Sequence, residues 1–326
     1  MFKRRTPSIE IENSISELKK VKIGGWDQWL LIRGENVNNP VLLLLHGGPG
    51  TAQIGFNRYY QQELEKHFIV VNWDQRGAGL SFSKNIPVES MNISQFLEDL
   101  IEVTQYLKSE YRQEKIFLVG HSWGSLLGML AIKEHPEHYF HYFGVSQVVN
   151  MRRAEEVSYD LLIEKVKESN NLKALQDLIK IGKPPWSHLK EDRIHQKYLD
   201  AFGGGISHDG KLINQFLLKL IKSSEYTFLD VIKHLQGQVF SMKTMITELR
   251  DFEMEKMIDK VEVPVTFIAG KYDLQVPSQP TKEFFDKLVA PKKEWMIFEE
   301  SAHSPNYEEI ENFTKVILER SVHYEK

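Results

Sequence analysis

Residues 116–125 read IFLVGHSWGS, and this stretch decides the fold. The apolar run from Ile116 to Val119 predicts a strand that is buried on both faces, as in a parallel sheet. The next five residues, GHSWG at 120–124, match G-x-S-x-G and lead into a helical pattern. A sharp strand-to-helix turn of this kind exposes the serine hydroxyl and places the following backbone N–H at a helix N-terminus. The motif predicts Ser122 as a nucleophile, while the alternative is a helix N-cap serine between turn glycines.

Strand and helix patterns alternate on both sides of this stretch. Residues 16–33 predict a hairpin that turns at Gly24-Gly25. Further strands are predicted at 41–45, 68–73, 142–149, 263–269 and 295–298, and further helices at 93–110, 279–289 and 307–322.

One long block interrupts the alternation, because residues 151–249 carry helical spacing and almost no strand signal, with breaks at 182–185 and 203–205. This order predicts an α/β fold, a mostly parallel central sheet flanked by helices, formed by residues 1–150 and 246–326. Residues 151–245 are expected to be a helical cap inserted between strands. The triglycine at 203–205 is a candidate hinge of that cap or a simple flexible loop.

The loop after the first buried strand, HGGPG at 46–50, is the predicted oxyanion hole. Acyl transfer builds negative charge on a carbonyl oxygen, and pre-aimed backbone N–H groups stabilise that charge. One donor would be the N–H of Trp123, and the second would be that of Gly47 or Gly48. His46 is interpreted as a hydrogen-bonding residue of this loop. A glycine-rich turn that merely joins strand to helix is the alternative.

The acid and the base are expected after the nucleophile, in the chain order Ser, Asp or Glu, His. Asp273 directly follows the strand at 263–269, so its carboxylate should lie at the carboxyl edge of the sheet, beside Ser122. His303 follows the last strand and could accept the serine proton through one ring nitrogen while Asp273 holds the other.

Few other residues could take these two roles. The only other histidine after Asp273 is His323, which lies in the C-terminal tail. Glu299 and Glu300 are poor substitutes for the acid because they lie beside the loop of the base. A turn-forming aspartate is the alternative interpretation of Asp273.

Composition excludes several classes of function. The 326 residues include no cysteine, which rules out disulfides, thiolate metal sites and a cysteine nucleophile, and fits a cytoplasmic protein. The formal net charge of −4 gives no electrostatic reason to expect nucleic acid or a membrane as a partner. No secretion signal and no membrane-spanning run is expected. No H-E-x-x-H, dinucleotide or P-loop pattern occurs, so neither a metal nor a cofactor is expected.

Taken together, the motifs resemble the proline iminopeptidase branch of the α/β-hydrolases. The resemblance rests on residues 46–50, on WDQRGAGLS at 73–81 and on 120–125, with GKYD at 270–273 and SAHSP at 301–305, and it fades across the cap. It implies the α/β-hydrolase fold and cleavage of an N-terminal residue, favouring proline, from small peptides. It also implies that Asp74 and Arg76 brace the loop near the oxyanion hole.

The substrate is less well specified than the catalytic machinery. An aminopeptidase must bind a protonated α-amine, so carboxylates should project from the cap. Leu274 follows Asp273 where some members of the branch carry an acid, and Glu248 is the candidate that could replace it. A cap pocket without such an acid would suit neutral esters, as in a carboxylesterase or lactonase. A non-catalytic binding protein on the same fold is the third hypothesis. The oligomeric state is not predicted.

Overall fold

A computed structural model describes residues 4–186 and 189–322, so His323 lies outside the described residues. Within them, eight strands form one sheet in the order β1-β2-β4-β3-β5-β6-β7-β8. The strands are β1 (Ile15–Ile23), β2 (Trp26–Gly34), β3 (Val41–Leu45), β4 (Ile69–Asp74), β5 (Ile116–His121), β6 (Tyr139–Val145), β7 (Val265–Gly270) and β8 (Lys293–Phe298). β2 pairs antiparallel with β1 and β4, and every other neighbouring pair is parallel.

The helices of the described residues lie between and around these strands. They are α1 (Ile54–Asn57), α2 (Gln62–His67), α3 (Ile93–Glu110), α4 (Trp123–Glu134), α5 (Met151–Glu168), α6 (Leu172–Ile181), α7 (Leu189–Ala201), α8 (Leu212–Ile221), α9 (Phe228–Asp251), α10 (Ser278–Lys287), α11 (Pro305–Glu308) and α12 (Ile310–Ser321). None of them combines the length and the apolar content that crossing a bilayer requires.

The central strands are apolar on both faces because helices cover both sides of the sheet. On β3, Leu43 packs in a cluster that includes Phe96 of α3 and Leu127 of α4. Leu42, its neighbour on the strand, points the other way and packs with Ile317 of α12. Alternate side chains of a strand face opposite sides, so a continuous apolar run is what a sheet between two helical layers needs.

The predicted hairpin is confirmed, since β1 and β2 meet at Gly24 and Gly25, whose φ angles of 53° and 72° lie in the left-handed region that glycine adopts freely. The predicted strand at 142–149 is misplaced, because β6 ends at Val145 and the chain leaves the sheet at Ser146. Val148 and Val149 are apolar because they pack in the core from a loop. The helix expected at 307–322 is divided into α11 and α12 at Glu309.

Between β6 and β7 the described residues form α5 to α9, a short 3₁₀ helix at Met254–Lys256 and the connecting loops. The predicted breaks fall where α6 and α7 end. The predicted domain boundary at 245 falls inside α9, which continues without interruption to Asp251.

Candidate active site

Ser122 lies at the turn between β5 and α4, with φ 53° and ψ −120°. Positive φ is uncommon for a residue with a side chain and indicates local strain. The flanking glycines permit the turn: a Cβ on Gly120 would lie 2.5 Å from the carbonyl oxygen of Gly124, and one on Gly124 would lie 2.4 Å from that of Leu45. The spacing of the motif therefore follows from backbone contacts around Ser122.

Three buried side chains form a hydrogen-bonded series at this turn. The Nε2 atom of His303 lies 2.9 Å from Ser122 Oγ, and its Nδ1 atom lies 2.9 Å from Asp273 Oδ2. The other carboxylate oxygen of Asp273 accepts hydrogen bonds from the amides of Gln275 and Val276, at 2.9 and 2.8 Å. An ionised carboxylate can only accept, so Nδ1 donates to Asp273 and Nε2 is left to accept the serine proton.

The three residues of the predicted oxyanion hole surround Ser122. Trp123 is the first residue of α4, so its amide has no acceptor within the helix. A Cβ on Gly47 would lie 3.2 Å from the Cβ of Ser122, which puts the backbone of this glycine against the nucleophile. Gly48 has φ 117° and lines the same cavity as Ser122 and Trp123.

Gln75 joins the glycine loop to the turn at Ser122, a role that sequence reasoning missed. Its Oε1 accepts a hydrogen bond of 2.9 Å from the indole N–H of Trp123, and its Nε2 donates to the carbonyl oxygen of His46 at 3.2 Å. Its backbone N–H donates to His46 Nε2, while the Nδ1 of that ring donates to the carbonyl oxygen of Gly47. Burial lowers the pKa of His46 to about 4, so the ring is neutral and can accept. His46 is thus a structural residue, as interpreted from the sequence.

A cavity of about 460 Å³ extends from Ser122 between α5, α7 and α9. Most of its wall is apolar, from Val148, Met151, Trp186, Leu199, Val239, Met242, Ile246, Leu249 and Val276.

Three charged side chains meet in this cavity. Arg250 donates from Nε to Glu155 at 2.9 Å and from Nη2 to Asp192 at 2.5 Å. The second carboxylate oxygen of Glu155 is buried and has no hydrogen-bond partner among the described residues. Burial raises the pKa of Glu155, and the guanidinium of Arg250 opposes that rise. The cluster thus holds two acids and one guanidinium, and two further cations, Arg193 and Lys243, line the same cavity.

Known proteins are similar to this chain along most of its length. The family described as Serine aminopeptidase, S33, matches residues 38–169. A protein of Bacillus subtilis (strain 168) named Probable aminopeptidase YbaC is 40% identical over 96% of this chain and 98% of its own length. The chain belongs to the proline iminopeptidase-like branch of the α/β-hydrolases. It is therefore a hydrolase.

Two further comparisons agree with this placement. The Proline iminopeptidase of Clostridioides difficile (strain 630) is 26% identical over 90% of this hydrolase and 94% of its own length. The crystal structure of Proline iminopeptidase from Mycobacterium smegmatis has a TM-score of 0.69 at 17% identity, covering 95% of this chain and all of that one (100%). This structural likeness confirms the expected fold class.

Asp74 of the hydrolase is fully buried and joins three segments. It accepts hydrogen bonds from the amide of Leu80, at 2.9 Å, from the amide of Ile54 just after the glycine loop, at 3.3 Å, and from the hydroxyl of Tyr226 beyond α8. Burial raises the pKa of Asp74 to about 6, and these hydrogen bonds oppose the rise.

Arg76 has a structural role at some distance from the glycine loop. Its guanidinium makes two hydrogen bonds of 2.8 Å to Asp99 of α3 and one of 2.9 Å to the carbonyl oxygen of Gly24. Arg76 therefore fixes the β1–β2 hairpin to α3. Asp74, and not Arg76, holds the segment after the glycine loop.

Glu248, the residue that sequence reasoning selected to bind the substrate amine, lies away from Ser122 in this hydrolase. Its Oε2 accepts a hydrogen bond of 3.0 Å from the amide of Ile93, at the N-terminus of α3. It lines a surface groove between α3 and α9 and lies outside the cavity of Ser122. On a helix, position 248 is about 200° from Ile246, which does line the cavity. The acids that do face the cavity are Glu155 and Asp192, and no sequence signal marked them.

One group of the described residues could supply metal ligands. Ligand atoms of His135, Glu137 and His138 lie within 4.8 Å of one another. The group follows the C-terminal end of α4, whereas Ser122 precedes its N-terminal end. The ammonium of Lys108 lies 2.9 Å from His138 Nδ1 and would oppose a bound cation.

Proposed function

We propose that this hydrolase is a serine aminopeptidase that releases an N-terminal proline or another small residue from short peptides. The observation that carries the proposal is a buried carboxylate oxygen without a partner among the described residues, which belongs to Glu155, a residue that lines the same cavity as Ser122. A buried carboxylate oxygen is costly unless it is hydrogen-bonded, and a protonated amine would complete it. The names of the relatives support the same activity.

Ser122 is proposed as the nucleophile. His303 removes its proton through Nε2 as Oγ attacks the carbonyl carbon, and Asp273 holds the ring through Nδ1. His303 then gives the proton to the leaving amine, and an acyl-enzyme remains on Ser122. Water, deprotonated by His303, hydrolyses this ester and restores the serine.

The oxyanion of each tetrahedral intermediate is proposed to lie between the backbone N–H groups of Trp123 and Gly48. Both residues line the cavity, whereas Gly47 packs against Ser122 from the side. Losing one such donor typically raises the barrier by about 2.7–4 kcal/mol. Gln75 acts through these residues, because it holds the loop of Gly48 and the side chain of Trp123 in one network.

The substrate amine is proposed to bind between Glu155 and Asp192. Arg250 fixes both carboxylates, and the second carboxylate oxygen of Glu155 is left without a partner among the described residues, so it could accept from a substrate ammonium. A substrate whose N-terminal amine binds here would present its first peptide bond to Ser122, which would give an exopeptidase.

Residues 151–251, rather than 151–245, are proposed as the cap that closes over Ser122. The cavity volume of about 460 Å³ suits a small molecule or a short peptide. A cap of this kind excludes bulk water and limits substrate size, so whole folded proteins should be poor substrates. The lack of cysteine favours a reducing compartment, and we propose the cytoplasm.

A carboxylesterase is the second candidate, and the apolar wall of the cavity favours it. Side chains such as Met151, Trp186 and Met242 would accommodate an uncharged acyl chain without using the acidic cluster. The two activities share Ser122, Asp273 and His303, so only the charge requirement separates them.

The decisive experiment measures turnover of proline 4-nitroanilide and 4-nitrophenyl butyrate by the wild type, Ser122→Ala, Glu155→Gln and Glu156→Gln. Glu156 is the exposed neighbour of Glu155 and provides the matched control. We expect Ser122→Ala to abolish both activities. Glu155→Gln should raise KM for the anilide about tenfold or more, because a hydrogen bond to a charged group contributes about 1.5–3 kcal/mol. The ester should be cleaved normally by this variant.

The outcomes separate the three hypotheses. A wild type that cleaves the ester and ignores aminoacyl anilides is an esterase, and the aminopeptidase proposal then fails. Failure of Ser122 to react with a fluorophosphonate probe would leave the non-catalytic binding protein as the remaining hypothesis.

A further inference from the structure

The outward side of α9 carries an exposed apolar stripe. Phe228, Ile232, Leu235 and Val239 recur at i, i+4, i+7 and i+11, which places them on one face of the helix. Phe228 is 80% exposed and Val239 is 64% exposed. The opposite face of α9 is packed, as shown by Ser241, which is buried and donates a hydrogen bond of 3.1 Å to the carbonyl oxygen of Gly77. The stripe is therefore a second apolar face and not the core-facing side.

The preceding helix, α8, repeats this pattern. Leu212 and Leu220 on its inner face are buried. The ring of Phe216 stacks on that of Phe56 of α1, with 4.4 Å between the ring centroids. A helix that is apolar on more than one side is normally covered on each of them. The exposed side chains of the two helices, here called the outer cap face, are Ile213, Leu217, Leu218, Ile221, Phe228, Leu229, Ile232, Leu235 and Val239.

The exposed charges of the segment that carries this face are of one sign, and Asp209, which pairs with Lys211, lies just before it. Within residues 211–247, all of which the structure describes, the cations are Lys211, Lys219, Lys222, Lys233 and Lys243. The only two acids of this segment have fully buried side chains: Glu225 lies 2.8 Å from Arg58, and Asp230 lies 2.7 Å from Arg4. The segment is thus basic and apolar on its surface, although the whole chain has a net charge of −4.

We propose that the outer cap face docks on an anionic lipid surface. Helices that combine exposed large apolar side chains with lysines lie in the headgroup region of such surfaces, held by apolar burial and by charge. A second copy of the chain is a poorer occupant, because a twofold interface places the same patch against itself and would bring the lysines of residues 211–247 together. The net charge of the whole chain gave no reason to expect a membrane partner. It is a sum over all residues, and it hides a local excess of lysines in residues 211–247.

The cavity of Ser122 opens at the edge of this face. Val239 belongs to the outer cap face and also lines the cavity. The next residues of the same helical stripe, Met242 and Ile246, line the cavity as well. Docking would therefore bring the entrance of the active site to the lipid surface, whichever bond Ser122 cleaves.

Vesicle cosedimentation tests the proposal with equimolar phosphatidylglycerol and phosphatidylcholine, with phosphatidylcholine alone as the reference. We expect the wild type to bind the anionic vesicles at least about tenfold more tightly than the neutral ones, and to be released by high salt. The double variant Phe228→Ser and Leu235→Ser, and the charge variant Lys222→Glu, should each weaken binding about tenfold. The matched control is Leu172→Ser with Ile179→Ser on α6, whose side chains are 72% and 63% exposed.

Two results would overturn the proposal. One is equal sedimentation of the wild type with and without anionic vesicles. The other is a wild-type dimer in light scattering that the Phe228 and Leu235 double variant dissociates, without vesicle binding, since the face would then be a protein interface. Hydrolysis of a water-soluble ester is measured in every variant to verify that it is folded. Because this activity does not depend on the aminopeptidase proposal, a failure of vesicle binding can be distinguished from a failure of that proposal.

Discussion

The backbone carbonyl oxygen of Gly205, in the loop after α7, accepts a hydrogen bond of 3.2 Å from the backbone N–H of His303. The preceding carbonyl, that of Gly204, accepts one of 2.9 Å from the amide of Leu274, the residue after Asp273. One loop of the helical block therefore holds the two loops that carry His303 and Asp273, the proposed base and acid. With these contacts the triglycine supports the loops of Asp273 and His303. The sequence suggested only a hinge or a flexible loop at this position, so this supporting role was not predicted.

Gly204→Ala is expected to lower kcat about tenfold or more with a smaller effect on KM, since a misplaced base acts on the chemical step. A Cβ on Gly204 would lie 2.5 Å from Leu274 Cγ, and relieving this overlap shifts the loop of Asp273. Steady-state kinetics on the best substrate measures the effect.

The control is a second substitution in the same protein. Leu274→Ala removes two of the three atoms closest to the added Cβ, so Gly204→Ala with Leu274→Ala should recover part of the lost kcat. Wild-type kcat in Gly204→Ala alone would show that the loop does not position the base.

Asp273→Asn is expected to reduce kcat by about 10⁴-fold while the fold is kept. An asparagine can still accept from the amides of Gln275 and Val276 through its carbonyl oxygen. Its NH₂ group then faces His303 Nδ1 and favours the tautomer whose Nε2 already carries a proton, which cannot accept one from Ser122.

Asp259→Asn is the matched control for this change, because Asp259 is exposed and lies outside the cavity of Ser122. Melting curves and kcat are measured for both variants. A loss of less than tenfold in Asp273→Asn would mean that another group orients the base.

Local sequence signals were enough to find the residues around Ser122. Ser122 and Asp273 each follow the end of a strand, and parallel strands bring their carboxyl ends to one edge of the sheet. His303 was fixed by chain order. The glycine loop followed from the same rule, since it continues β3, the neighbour of β5.

The residues that line the cavity from the helical block could not be predicted in this way. Glu155 and Asp192 lie on different helices, and only the packing of α5, α7 and α9 brings them to Arg250. Glu248 was selected by residue type, but its direction depends on the rotation of α9, which sequence spacing alone does not determine when both faces of the helix are apolar. Gln75 was overlooked because an uncharged side chain between Asp74 and Arg76 carries no signal of its two partners.

Gln75→Leu is expected to destabilise the fold by about 1–3 kcal/mol, because it leaves the buried indole N–H of Trp123 and the carbonyl oxygen of His46 without partners. It should also lower kcat, since both partners border the proposed oxyanion hole. Urea unfolding and steady-state kinetics measure the two effects. The exposed Gln236→Leu serves as the control, and equal stability of the two variants would contradict the bridging role of Gln75.

The free energy of unfolding is expected to fall as the pH decreases below about 6.5, the ordinary pKa of histidine. Burial lowers the pKa of four histidines to about 4, namely His46, His141, His195 and His234. Burial lowers the pKa of His121 to about 3. Between these values and 6.5 the unfolded chain binds protons that the folded chain does not, so acid favours unfolding by about 1.4 kcal/mol per pH unit for each proton. Asp74 acts in the opposite direction, because its raised pKa of about 6 lets the folded state bind a proton first.

The variant that tests this is His141→Gln, because the His141 ring contacts Thr266 and lies away from the cavity. It should reduce the slope of unfolding free energy against pH by the contribution of one proton, measured by urea unfolding across this pH range. An unchanged slope would mean that His141 is protonated in the folded state.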